Sequence, residues 1–234
     1  RDSDGDAERC NLTDVPERVT DLEFSHDGYK MFVSFGSHTV TTAEGDIVYG
    51  YELSSPYDIS TCSYSDNKTT NLDGKLNGSL AGDDIAPAKQ VRLQGLEFNN
   101  SGTKMFLLFL GDGNDINGDT RKERLLEYNL STPYDLTNIT LVENAGINLT
   151  GSSFANPMGM RFSKNGKRLF IVDHNKMAIG QISLNVAFST ASYTIDGTIV
   201  IRNIPTANDH NQPRGIALGP NGCLLYTSPS PRDQ

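Results

Sequence analysis

Thr20-Asp-Leu-Glu-Phe24-Ser-His-Asp-Gly28-Tyr-Lys-Met-Phe32-Val33 decides the fold, because it returns along the chain. The second copy is Gln94-Gly-Leu-Glu-Phe98-Asn-Asn-Ser-Gly102-Thr-Lys-Met-Phe106-Leu107, and the third is Met158-Gly-Met-Arg-Phe162-Ser-Lys-Asn-Gly166-Lys-Arg-Leu-Phe170-Ile171. A shorter fourth reads Arg214-Gly-Ile-Ala-Leu218-Gly-Pro-Asn-Gly222. Asp27-Gly28, Asn165-Gly166 and Asn221-Gly222 are strong hairpin-turn dipeptides, since such turns need positive φ, and Ser101-Gly102 is a weaker version. The flanks supply apolar strand residues such as Leu22, Phe24, Met31 and Val33.

A second motif follows each full copy. It reads Val48-Tyr-Gly-Tyr-Glu-Leu-Ser-Ser-Pro-Tyr-Asp-Ile-Ser60, then Leu125-Leu-Glu-Tyr-Asn-Leu-Ser-Thr-Pro-Tyr-Asp-Leu-Thr137. The third version, Ile179 to Ser189, is degenerate. The first two begin as strands and stop at the Ser-x-Pro-Tyr-Asp run, because proline cannot continue a ladder and serine and aspartate favour turns. Weaker strands are predicted near Cys62 to Tyr64, Leu141 to Glu143 and Tyr193 to Ile201, with no amphipathic helix. The turn glycines at 28, 102, 166 and 222 are 74, 64 and 56 residues apart. Fixed motifs with variable spacing describe a repeated core carrying variable surface loops.

Four short strands per unit, in series, read as propeller blades. The predicted fold class is all-β: a partial β-propeller of three four-stranded blades plus the start of a fourth. The blades are expected at about 19–80, 81–150 and 151–206, with a truncated one at 207–222. Residues 1–18 read as an acidic leader or the end of a preceding segment. A β-sandwich would not require the same hairpin and the same stop to recur.

Two resemblances bear on this reading. Pro157 to Gly166 and Pro213 to Gly222 resemble the inner hairpin of NHL-repeat and gluconolactonase-like propellers. The fuller unit is similar to repeats in surface proteins of marine bacteria and phages. The likeness runs from about Val19 to Gly222 and implies the fold; one propeller scaffold hosts many activities. Six or seven blades are usual in such families, so the remaining blades are expected elsewhere in the same protein. Separately, Cys223 to Asp233 resembles, residue for residue, one translated frame of a transposase adapter used in DNA libraries. Residues 223–234 are therefore expected to be artefact.

Composition narrows the partners. The net charge of −9 argues against nucleic acid and anionic membrane surfaces, which need basic protein. No apolar run approaches the roughly 20 residues of a membrane span. Sequons at Asn11, Asn67, Asn77, Asn129, Asn138 and Asn148 fit an exported chain, so an extracellular, periplasmic or virion or cell-surface location is expected. Cys10 and Cys62 then form either one disulfide or two buried thiols.

Strands in a blade alternate direction, so the loops after strands 2 and 4 share one face, where a ligand is expected. Asp112, Asn114, Asp115, Asn117 and Asp119 lie in such a loop. The alternate spacing of Asp115, Asn117 and Asp119 is that of oxygen ligands for calcium. The full EF-hand pattern fails, with Thr120 in the glycine position and Leu126 at position twelve. Asp209, His210 and Asn211 cluster on a second such connection, and Asp84 precedes the second blade. Asp2, Asp4 and Asp6 form a short acidic run resembling the calcium repeats of thrombospondin-type linkers. No Gly-x-Ser-x-Gly elbow, phosphate loop or His-Glu-x-x-His occurs. Asp173-His174 suits structural hydrogen bonding better than catalysis, and Glu23 and Glu97 recur at one repeat position where Arg161 and Ala217 later stand. The expected function is binding of a protein or glycan ligand through the loop face, without chemistry. The alternative, implied by the lactonase resemblance, is a metal-dependent hydrolase.

Overall fold

The structure is a computed structural model. It describes residues 10, 12, 19–36, 47–69, 72, 91–111, 123–149, 154–201, 213–219 and 224–227. Every element in this part is a strand except one turn of 3-10 helix at Ile59–Thr61. The first sheet comprises β1 (Val19–Phe24), β2 (Lys30–Phe35), β3 (Ile47–Leu53) and β4 (Cys62–Lys68), paired in that order and antiparallel. The second comprises β5 (Val91–Phe98), β6 (Lys104–Gly111), β7 (Arg124–Leu130), β8 (Ile139–Leu141) and β9 (Ile147–Asn148). The third holds β10 (Pro157–Phe162), β11 (Arg168–Asp173), β12 (Ala178–Val186) and β13 (Ser189–Val200). A last hairpin pairs β14 (Gly215–Leu218) with β15 (Leu224–Thr227), the latter within the adapter-like stretch.

The recurring hairpin is wider than a two-residue turn. Ser25 N–H donates to the Lys30 carbonyl at 2.9 Å, and Gly28 N–H donates back to the Ser25 carbonyl at 2.9 Å. Of the turn residues, only Gly28 has positive φ, at 77°. The same two bonds recur at Asn99/Lys104 with Gly102, and at Ser163/Arg168 with Gly166. The Asp27 carboxylate accepts from the Ser25 hydroxyl and the Tyr29 N–H, which is why aspartate suits the place before the glycine.

The outermost strands differ from the sequence expectation. β4 and β13 are longer than predicted, and the fourth strand of the second sheet is broken. It is expected at Leu141 to Glu143, but β8 ends at Leu141 and β9 resumes at Ile147, both on β7. Asn144 (φ 59°) and Gly146 (φ 137°) turn the chain out of the ladder between them.

The core lies between sheets. One apolar cluster joins Phe32 and Val48 of the first sheet to Leu96, Phe98 and Leu107 of the second. Another joins Phe106 and Leu108 of the second to Phe162 and Leu169 of the third. A third joins Val172 and Ile179 to Ile216 of the last hairpin. The Phe98 ring packs on Phe32 with centroids 4.6 Å apart, and Phe162 packs on Phe106 at 4.5 Å. Repeat-equivalent residues thus meet equivalent surroundings, and each sheet buries a face that it could not bury alone. At their inner edges β1 packs against β5, β5 against β10, and β10 against β14. This is a partial β-propeller: three complete blades and the hairpin of a fourth, arranged about the inner strands.

Cys10 and Cys62 are joined by a disulfide with Cα atoms 5.6 Å apart. Cys62 opens β4, so the bond holds Cys10 at the outer strand of the first blade, and Cys10 and Leu12 pack against the Met31–Tyr51 cluster.

Candidate functional site

The inner strands β1, β5, β10 and β14 bring equivalent repeat positions together. Glu23, Glu97 and Arg161 occupy one such position on three successive blades. One Arg161 Nη1 nitrogen reaches across to the Glu23 carboxylate of the first blade and lies 3.7 Å from Glu97 Oε1 of the second. Glu97 Oε1 also accepts from the Phe162 N–H at 3.0 Å, and Asp21 Oδ2 accepts from the Leu96 N–H at 2.9 Å. The three carboxylates therefore tie inner strands to one another, with Arg161 bridging the first and third blades.

Burial dominates the electrostatics of this cluster. It pushes the Glu97 carboxyl well above the ordinary range, although Arg161 pulls it back. Burial likewise raises Glu23 and Asp21, opposed by Arg161 and by backbone N–H groups respectively. Burial works against the Arg161 charge, but Glu97 and Glu23 outweigh it and hold the guanidinium protonated. Glu97 Oε2 is buried and accepts no hydrogen bond.

A cleft of about 350 Å³ opens where the inner strands begin. It is lined by Thr20, Gly36, Arg92, Gln94, Met158 and Arg214, with Val19 at its edge. Thr20, Gln94, Met158 and Arg214 are the first residues of the four repeats, so one repeat position supplies four of its walls. The blades meet closely here. A Cβ on Gly159 would stand 2.6 Å from the Arg214 carbonyl, and one on Gly36 would stand 2.5 Å from the Leu93 carbonyl. The strand direction puts this cleft on the face expected to carry a ligand.

Most of the residues singled out in the sequence lie outside the described residues. These are Asp2, Asp4, Asp6, Asp84, Asp112, Asn114, Asp115, Asn117, Asp119, Asp209, His210 and Asn211. Among the described residues no group of three or more His, Cys, Asp or Glu side chains is arranged to hold a metal ion. The axial carboxylates do not fit the resident metal implied by a lactonase-like propeller, because the guanidinium of Arg161 is already set among them. Asp173 is fully buried and accepts from the N–H groups of Ala155, Asn156 and Lys176, a structural role. The cleft residues Arg92, Gln94 and Arg214 were not singled out in the sequence. The available signal was the first repeat column, which reads Thr, Gln, Met, Arg while the turn glycine eight residues on stays fixed.

No family model and no curated protein sequence matches the chain. Solved structures do resemble it. An exo-β-1,3-galactanase from Phanerochaete chrysosporium superposes with a TM-score of 0.51 at 12% identity, over 96% of this chain and 47% of that one. The major allergen Mala s 1 of Malassezia sympodialis gives 0.49 at 11%, over 89% and 56%. A candidate 6-phosphogluconolactonase from Bacteroides uniformis gives 0.47 at 14%, over 88% and 63%. The chain thus spans about half to two thirds of each of these proteins. At such identities the galactanase likeness speaks for the fold alone. Fold and cleft together define the class: an open segment of a β-propeller with a polar cleft at the head of its inner strands.

Proposed function

We propose that this chain is part of an exported propeller that binds a glycan or a protein partner on the face where the inner strands begin, and performs no chemistry of its own. The observation that carries the reading is the axial cluster. Hydrolysis of the lactonase type needs an open metal position to polarise a carbonyl or activate water. Here Glu23 and Glu97 are committed to Arg161 and to the Phe162 backbone. Buried carboxylates so paired act as ties between blades rather than as ligands. The rigid inter-blade core meanwhile presents loops of variable length, which is how scaffolds of this kind vary their partners. On this reading calcium is a peripheral stabiliser held by Asp115, Asn117 and Asp119, and the disulfide fits an oxidising compartment.

The test is a turnover assay with aldonolactones and a panel of divalent ions, before and after chelation. Background rates throughout are the expected result. Metal-dependent lactone hydrolysis that chelator abolishes would overturn the reading and favour the hydrolase.

A further inference from the structure

We infer that the cleft at the head of the inner strands takes a carboxylate-bearing sugar, read chiefly by Arg214 and Gln94. The inference rests on the binding reading above and names its ligand class. Three observations lead to it.

The first is an amide at the cleft wall. Gln94 is only 6% exposed and lines the cleft, and among the described residues its side chain makes no hydrogen bond. A buried carboxamide carries two donors and an acceptor that ordinarily find partners. The second is charge. Arg214 is exposed at the same cleft and its guanidinium has no ion pair in the described structure. Arg92 of the second blade also lines the cleft but serves partners within the chain. The exposed Arg214 guanidinium in the cleft of a chain with net charge −9 is a local attraction for anions. The third is position. Thr20, Gln94, Met158 and Arg214 share one repeat position, yet differ in size, polarity and charge. The scaffold around them stays the same, so the differences vary the wall of the cleft and leave the blade unaltered.

A carboxylate suits these groups better than a tetrahedral anion. The planar guanidinium fork matches the two carboxylate oxygens, and an amide N–H adds an in-plane donor. Met158 offers an apolar, adaptable wall to a sugar-ring face. A cleft of about 350 Å³ lies at the lower end of ordinary ligand sites and suits one or two rings.

The probes are an α-1,4-linked trigalacturonate, its methyl ester, free galacturonic acid and a sulfated neutral trisaccharide, titrated calorimetrically against the 234-residue chain. The acid is expected to bind, with the ester about tenfold weaker or worse. Arg214→Met and Gln94→Leu should each weaken the acid by a similar factor while leaving the ester unchanged. The free monosaccharide arm reports whether a single ring suffices, and binding by either acid supports the inference. Equal affinity for acid and ester, absence of acid binding, preference for the sulfated sugar, or indifference to Arg214→Met would overturn it. Because the ester arm uses the unaltered protein, a variant that fails to fold leaves a decisive comparison. Equal binding of acid and ester keeps the binding face and removes only the acid; lactone turnover removes the face itself.

Discussion

The ring of Tyr134 lies flat against Gly102, so close that a Cβ on the glycine would stand 2.3 Å from its Cε2 atom. The Tyr134 N–H donates to the Gly102 carbonyl at 2.9 Å, and Tyr134 holds a positive φ of 61° to make that approach. Tyr57 does the same over Gly28, and Phe188 over Gly166, each with a 2.9 Å backbone bond and a positive φ. The tyrosine of the Ser-x-Pro-Tyr-Asp motif and the glycine of the hairpin are thus two halves of one device. The following aspartate completes it: Asp135 Oδ1 accepts from the Thr137 N–H, and Asp58 Oδ1 from the Ser60 N–H. The device also reaches between blades, since the Tyr134 hydroxyl accepts from the His26 N–H of the preceding turn at 3.1 Å.

Gly102→Ala should therefore be among the most damaging small substitutions in the chain. It adds a left-handed penalty of about 1–2 kcal/mol to an overpacking cost of about 1–3 kcal/mol. Urea unfolding should show a loss of about 2–5 kcal/mol. Ser101→Ala, one residue earlier and exposed, should change stability by less than about 0.5 kcal/mol.

The repeated hairpin, the third strand and its stop were legible because each rests on local chemistry: a glycine turn, a proline, an aspartate cap. Phe188 could be aligned with Tyr57 and Tyr134 even in the degenerate copy, and the structure gives it the same seat. What the sequence hid was long-range. Nothing local to Arg161 says that it reaches Glu23, 138 residues away. In the sequence Arg161 is only a variation at a repeat position that holds glutamate in the first two copies; in the fold it completes a charge cluster. The broken outer strand of the second blade was hidden for the opposite reason. Edge strands are set by few ladder bonds, so two positive-φ residues there outweigh a weak strand pattern.

Asn67, one of the sequon asparagines, makes a cross-blade tie. Its Nδ2 donates to the Tyr134 carbonyl at 3.0 Å, and its Oδ1 accepts from the Leu136 N–H at 2.8 Å. Both bonds reach the next blade. A glycan on Nδ2 would replace one of its two hydrogens and crowd both bonds, so Asn67 should stay unmodified in a glycosylating host while the exposed Asn138 is available. Peptide mapping after endoglycosidase treatment checks this. Asn67→Ala should cost about 1–3 kcal/mol, because two buried-side backbone groups lose their partner.

The disulfide gives a prediction independent of the core. It closes a 52-residue separation, for which chain entropy suggests about 4 kcal/mol. Thiol titration of the unfolded, unreduced protein should count one of its three cysteines. Cys62→Ser should lower the urea midpoint, and reductant should lower the wild type to match while leaving the variant unchanged. Three reactive thiols before reduction would contradict the bond.

Glu97 should make stability fall as pH rises. Burial raises its folded-state pKa above the ordinary 4.5, so the folded protein holds the proton more tightly than the unfolded chain does. The associated stability is complete below pH 4.5 and is lost as pH climbs through the raised value, at most about 1.4 kcal/mol per pH unit. Glu23 and Asp21, raised by burial too, add to the same slope. Asp27, Asp135 and Asp196 are held low by hydrogen bonds, so what they contribute is present above pH 3.8 and is lost only in stronger acid, a separate window. Glu97→Gln keeps an acceptor for the Phe162 N–H and removes the titration. Its unfolding midpoint should decline less from pH 5 to 8 than that of the wild type, and the two curves should draw together towards pH 4.5. Parallel curves would mean that the Glu97 proton is not coupled to folding, and that Arg161 compensates the buried carboxylate fully.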